Sequence, residues 1–359
     1  MRLLYSLFIF PFCLIYRLFS YKEKYYFYSP MNLKGNVKYL YDFYSLKGKK
    51  CIPINNDYIV NLTFFKYTQF CISVGCSKSI FLSHGIGLLP ISCFLTKRIQ
   101  LWHGYPIKKI LLNSKFDTIK YQSKILNFLY LTFYKIRIKI SYSYLITSNS
   151  ILGNELSDSF RYKKNKVIYY GSPSQEVAEN NKRKRDDIHY KVLYLPTWRD
   201  GKDNIVKIIQ SISDTLDYNF LKENNIIIDI KLHPYEMDRI NINNRENNRI
   251  NFITNDPENM IELYSCYNCL ITDYSSACFE FAPLGGNVIF FAPDLFEYTK
   301  ERGLTLEYKE LANNKIAYSL PELKEAIFES RYKTNSYTLN YKKYVGTSNR
   351  CMELIYEKF

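Results

Sequence analysis

The stretch NCLITDYSSACFEFAPLGGNVIFFAPD, residues 268–294, decides how this chain folds. It opens on a short apolar run, NCLIT (268–272), which ends in the polar turn Asp273-Tyr274-Ser275-Ser276. A helix-length segment follows at about 277–285, and NVIFFAP (287–293) is a second run of β-branched and aromatic residues. Strand, turn, helix and strand in that order form a crossover unit, whose two strands must lie parallel. Apolar runs without alternation belong to a sheet covered on both faces. In such sheets ligands collect beyond the carboxyl ends of the strands, which makes the turn at 273–276 a candidate site. Ser275 or Ser276 suits the N-cap of the helix, and the free N–H groups and dipole of that terminus favour an anion. Glu280 falls four residues after Ser276, one more than a capping box requires. It is expected to face inward, where a ribose hydroxyl can be held.

Working outward, the same kind of run recurs as KVLYLP (191–196), NIIIDIKL (225–232) and INFIT (250–254), with helix-length segments at about 204–222 and 257–266. The first half carries KSIFLS (78–83), RIQLW (98–102), SYLITS (143–148) and KVIYYG (166–171). The run SQEVAENNKRKRDDIHY (174–190) is polar, has no apolar period and reads as a linker. A chain of 359 residues exceeds one ordinary core. The expectation is therefore two α/β domains, 21–180 and 181–330, facing a cleft. An apolar segment, 1–20, precedes them and a helical segment, 331–359, follows.

The rule for strand ends singles out further residues. LWHGYPIKKI (101–110) places His103 directly after RIQLW, with Gly104 free to turn and Lys108 nearby to meet phosphate charge. An imidazole titrates near the working pH of most enzymes and suits a general base; a histidine that merely ends a strand is the plainer alternative. KLHP puts Lys231 and His233 at another strand end, and YLPTWRD does the same for Thr197 and Arg199, whose fork matches a phosphate. Asp273 closes the set. There is no P-loop, no dinucleotide-binding glycine pattern and no H-E-x-x-H. The pair Cys266 and Cys269 supplies only half a tetrahedral zinc shell, so no metal or cofactor is expected.

The net charge is +15, from 49 basic and 34 acidic residues, which points to a polyanionic partner. Between Lys97 and Lys139 ten Lys/Arg face a single acid, Asp117, interleaved with aromatic and aliphatic residues. That pattern fits an anionic membrane surface better than nucleic acid; a solvated basic helix packed on a core is the alternative. The N-terminal run from Leu3 to Tyr16 is short for a bilayer span, contains Pro11 and lacks a small-residue cleavage site. It is read as lying in the membrane interface, against a buried first helix as the alternative.

Taken together, QLWHGYPIKKI, YLPTWRD, KLHP and ITDYSSACFEFAPLGGNVIFFAPD resemble the CDP-glycerol glycerophosphotransferases of teichoic acid and capsule synthesis. SNSILGNELSDSFRYKKNKVIYYGSP (148–173) and EYTKERGL (297–304) extend the likeness, which runs from about residue 98 to 310. The resemblance implies two Rossmann-like domains of the GT-B type and catalysis at the cytoplasmic face of the membrane by a peripheral protein. It implies transfer of glycerol or ribitol phosphate from a CDP-activated donor to a lipid-linked or polymer acceptor. On it, His103 matches the base; His233, Ser275 and Ser276 match donor-phosphate contacts; Thr197 and Arg199 fall at the matching turn. Glu280 stands where the family often has aspartate, and Ser172-Pro173-Ser174 replaces the usual Pro-Arg-Asn-Asp. The first ~95 residues lie outside the likeness and are expected to hold the acceptor surface. A GT-B glycosyltransferase using a nucleotide-sugar and a non-catalytic membrane-binding protein are the rival readings.

Overall fold

The computed structural model describes residues 2–119, 121–182, 184, 188–199, 208, 211–212, 215–232, 249–333 and 336–359. Two six-stranded sheets, every paired strand parallel, account for the core. The first holds β1 (Lys24–Tyr28), β2 (Lys50–Ile54), β3 (Ser79–Leu82), β4 (Lys97–Gln100), β5 (Tyr144–Thr147) and β6 (Val167–Tyr169), in the order 2-1-3-4-5-6. The second holds β7 (Tyr190–Leu195), β8 (Ile226–Ile230), β9 (Ile250–Phe252), β10 (Cys269–Thr272), β11 (Asn287–Phe291) and β12 (Ile316–Ala317), in the order 12-11-10-7-8-9. In each sheet the chain moves outward on one side of its first strand and then returns to the other. The strand order therefore reverses at β1/β3 and at β7/β10, the places where open sheets leave a crevice.

Both faces of both sheets are covered, and the side chains divide by the two-residue period of a strand. Tyr25, Phe27 and Phe81 enter one apolar cluster, while Tyr26, Tyr28, Ile80 and Leu82 enter another. In the second sheet Leu193, Leu270 and Phe290 separate from Val192, Ile271 and Ile289 in the same way. β1 and β2 do not stand out in the sequence. KYYFY is a run of large residues with no alternation, and KCIPI contains Pro53, which β2 tolerates because it is an edge strand.

The expected linker is corrected over its first half. Pro173–Asn180 is a helix in which Ser174, Gln175 and Glu176 are buried. Its polar side chains find backbone partners in the segment 346–352: Glu176 accepts from Met352 N at 2.7 Å, Glu179 from Ser348 N at 3.0 Å, and Gln175 donates to Gly346 O at 2.8 Å. A polar run without apolar period is thus buried through hydrogen bonds. The helix that follows, Cys351–Lys358, returns to the first sheet and packs Cys351 and Ile355 against Tyr25, Phe27 and Leu40.

The N-terminal helix, Arg2–Phe19, continues through Pro11, which does not break it. One flank of it packs on the protein. Ser6, Ile9 and Cys13 are buried against the helix Phe64–Gly75, and Arg2 and Arg17 donate to carbonyls at Ile59, Val60, Leu62, Gly75 and Ser77. The other flanks expose Leu4, Phe8 and Phe19 at 73%, 74% and 84%.

A single buried side chain ties three segments together. Asn36 opens the helix Gly35–Leu46 and donates to Leu101 O (3.1 Å) and Trp102 O (3.0 Å). Its Oδ1 accepts from Ser172 Oγ (2.8 Å), Ser174 N (2.9 Å) and Ser174 Oγ (2.6 Å). Asn36→Ala is expected to lower the urea unfolding midpoint, since each buried group left unpaired costs about 1–3 kcal/mol. Asn36→Asp should do no better, because it accepts but cannot donate to the two carbonyls. A wild-type midpoint in both variants would refute this role.

Candidate active site

The loop after β4 is bent by unusual backbone. Trp102 has φ +53°, rare for a bulky residue, and Gly104 has φ +145°. Trp102 is held in place by its ring, edge-on to Phe160 at 5.2 Å, and by its N–H, which Gln100 Oε1 accepts at 2.8 Å. The bend carries Gly104 so close to the turn after β10 that a Cβ on it would lie 2.5 Å from Ser276 Oγ. The residue after His103 is thereby set against Ser276, across the join between the two halves of the chain. The loop continues by pairing with residues 303–305: Lys109 N donates to Gly303 O at 3.1 Å, Thr305 N to Ile107 O at 2.9 Å, and Lys108 bridges Leu304.

His103 keeps an exposed edge. Desolvation, then the neighbouring charges of His84 and Lys108, holds its imidazole below the usual histidine range, and water at the open edge moderates that shift. The ring is therefore neutral at neutral pH, the form that accepts a proton. His84 is a neighbour of His103 that the strand-end readings do not include. It follows β3 as His103 follows β4, so the strand-end rule would have found it. Its ring stacks on that of His103, with centroids 4.4 Å apart and planes 24° apart.

Ser276 occupies the N-cap position of the helix Ala277–Phe281, but its hydroxyl makes no cap bond; Ser275 Oγ instead accepts from Ala277 N at 3.3 Å. One turn on, burial pushes the Glu280 carboxyl up to about 7, against the downward pull of a hydrogen bond with Ser174. Ser174 also bonds Asn36, whose amide holds Trp102, so Glu280 belongs to the same locality as His103.

Thr197, Arg199 and Asp273 are also gathered at the β7/β10 reversal, but for another purpose. Asp273 accepts from Thr197 N (2.8 Å), Thr197 Oγ1 (2.5 Å), Tyr274 N (2.6 Å) and Arg199 Nη2 (2.8 Å). Arg199 also pairs with Asp294 at 3.0 Å and lies over the rings of Tyr274 and Tyr298. The fork expected on a phosphate is thus committed to two carboxylates, and these residues shape the serine turn from behind. Lys231 reaches Asp256 at 3.3 Å, where Lys34 of the first half also pairs. His233 lies outside the described residues. Among the described residues no group of three or more His, Cys, Asp or Glu converges. Cys269 is buried in β10, while Cys266 bonds Glu262 O through its thiol at 3.5 Å.

The model of the CDP-glycerol:poly(glycerophosphate) glycerophosphotransferase family matches residues 24–351. The chain belongs to that family. This glycerophosphotransferase-family chain is 27% identical over 262 residues to the teichoic acid poly(glycerol phosphate) polymerase of Bacillus spizizenii, covering 67% of this chain and 62% of that protein. It is 28% identical over 235 residues to the teichoic acid glycerol-phosphate primase of Bacillus subtilis, covering 64% and 58%. The matched part thus spans about three fifths of these relatives. The fold matches the wall teichoic acid polymerase TagF with a TM-score of 0.73 at 16% identity, over 99% of this chain and 95% of that one. The α/β architecture of paired parallel sheets is accordingly GT-B-like.

Arg199→Ala is expected to destabilise the protein by about 3–5 kcal/mol, because it leaves the buried Asp273 and the half-buried Asp294 without their cation. Arg199→Lys should rescue little, since an ammonium cannot span both carboxylates. Thermal unfolding reads the effect; an unchanged midpoint would return Arg199 to the list of free phosphate contacts.

Proposed function

We propose that this chain transfers a polyol phosphate, glycerol phosphate first among candidates, from a CDP-activated donor to a hydroxyl of a membrane-linked acceptor, with release of CMP. The carrying observation is the close approach of Gly104, the residue after the neutral His103, to the Ser276 turn, two segments about 170 residues apart in sequence. The acceptor hydroxyl attacks the β-phosphorus of the donor. A P–O bond to the acceptor forms as the P–O bond to the bridging oxygen breaks, and CMP leaves with that electron pair. The hydroxyl proton passes to His103. Ser275, Ser276 and His233 are assigned to the donor phosphates, with Lys108 supplying positive charge; Glu280, one turn inside, is assigned to the donor ribose. Phosphoryl transfer depends chiefly on positioning and charge neutralisation, and these residues provide both. Family membership favours this reading over a nucleotide-sugar glycosyltransferase.

Purified protein incubated with CDP-glycerol, CDP-ribitol and UDP-sugars, with an acceptor present, should release nucleotide from a CDP-polyol alone. Release from UDP-sugars would overturn the assignment. His103→Ala should lower turnover by roughly 10²–10⁴-fold while donor affinity by calorimetry is retained.

The same reading assigns the enzyme to the cytoplasmic face of the membrane as a peripheral protein. Its support is the apolar outer flank of the N-terminal helix together with the helix Lys124–Ser141, which exposes Ile125, Phe128, Phe133 and Ile136 beside Lys135, Arg137 and Lys139. Both helices pack on the same face of the first sheet, through Ile9 and Cys13 and through Ile138. The two contributions separate by salt. Lys/Arg attraction to anionic lipid is worth ~1 kcal/mol per residue and is screened, whereas apolar insertion is not. Full-length protein should therefore pellet with anionic vesicles. Neutralising Lys135, Arg137 and Lys139 should weaken binding mainly at low salt. Leu4→Asp with Phe8→Asp should weaken it at all salt concentrations. Protein that ignores anionic vesicles at low salt would remove this assignment.

A further inference from the structure

The stacked histidine at the first sheet's strand reversal has no part in the assignments above. His84 lies beyond the carboxyl end of β3, and β1/β3 is where the first sheet reverses its order. It is held on three sides. Its Nδ1 is 2.8 Å from Ser83 Oγ, its carbonyl accepts from Gln100 Nε2 at 2.8 Å, and its ring lies 6.2 Å from Trp102 and 4.4 Å from His103. Gln100 holds both loops at once, since its Oε1 accepts from Trp102 N while its amide donates to His84 O. The distance between the two histidine loops is therefore fixed by one side chain of β4. Trp102, its own neighbour, also lies against the His103 ring, with centroids 4.3 Å apart and planes 27° apart. The His103 ring is thus held by two ring neighbours while the residue stays exposed to solvent.

We propose that His84 is a positioning residue for the transfer: it clamps the His103 ring by stacking on it, so that the ring keeps one orientation toward the acceptor hydroxyl. The inference rests on His103 being the base. Two consequences follow. The clamp fixes the direction in which a ring nitrogen can take a proton, which matters because misplacement by about 1 Å is enough to cost large factors in rate. It also keeps the ring neutral, because a protonated His103 would lose hydration where the His84 ring covers it and would stand near the charge of Lys108. His84 is itself held below the usual histidine range by desolvation, so in the neutral range it acts as an uncharged ring. A phenyl ring should then replace it in the stack.

The test compares His84→Ala with His84→Phe in the full chain, with His103→Ala as reference. His84→Ala should lower kcat about tenfold with little change in donor KM, and should move the acid limb of the kcat/KM profile to higher pH as His103 relaxes toward its ordinary value of roughly 6.5. His84→Phe should restore most of kcat and return the limb toward that of the wild type. The His103 ring titration followed by NMR should shift upward in His84→Ala and not in His84→Phe. This readout does not depend on catalysis. If His103→Ala keeps full activity, the base assignment fails while the NMR shift still reports the clamp. If the His103 titration and the pH profile are both unchanged in a folded His84→Ala protein, the clamp itself is overturned.

Discussion

The close approach of Gly104 to Ser276 is the constraint around which the molecule is organised. Two segments from different sheets can come this near only where one of them has no side chain, and only if the loop preceding it bends sharply. The bend places Trp102 at φ +53°, a conformation that costs of order 1–3 kcal/mol for a non-glycine residue. The surroundings hold it there. Asn36 bonds the carbonyls of Leu101 and Trp102, Gln100 bonds the Trp102 N–H, and the indole packs on Phe160. Downstream, pairing with residues 303–305 fixes the loop's other end to the second half. A loop tied at both ends keeps His103 in place.

Polar residues at the two reversals divide the labour differently. In the second half, the charged ones face inward. Arg199 saturates Asp273 and Asp294, and the stacked rings of Tyr274 and Tyr298, 3.7 Å apart, lie against the guanidinium. Such a network stabilises only when every member is satisfied, and it leaves short hydroxyls, Ser275 and Ser276, at the front. In the first half it is the aromatic nitrogen residues that stand forward. Serine hydroxyls thus lie on one side of the approach between the halves, and on the other an imidazole stacked on His84.

Most of the second sheet was legible, because strands such as NCLIT and NVIFF are bounded by turn residues and separated by helices of ordinary length. In the first sheet β1 escaped notice because KYYFY lacks alternation, and β2 because Pro53 argues against any strand but an edge. The site was half legible. His103, Ser276 and Glu280 could be placed by the rule of strand ends, but that rule does not distinguish a residue facing the ligand from one facing its neighbours. Arg199 and Asp273 obey it and are consumed inside the protein, which depends on the positions of Asp294 and Thr197 in three dimensions. Asn36 carried no local signal at all; its importance comes from three segments that only the fold assembles. The helix Pro173–Asn180 looked like a linker because burial was judged by apolar period, and it is buried by hydrogen bonds instead.

The return of the helix Cys351–Lys358 to the first sheet sets an order of events during synthesis. When β6 has left the ribosome, all six strands of that sheet exist, yet part of the layer over Tyr25, Phe27 and Phe81 has still to be translated, roughly 180 residues later. The gap is covered last, by the helix that carries Cys351 and Ile355. Until then a set of large aromatic residues stays partly open in a nascent chain, the kind of surface on which incomplete proteins aggregate. The strands of the first sheet are made long before the helix that completes their cover.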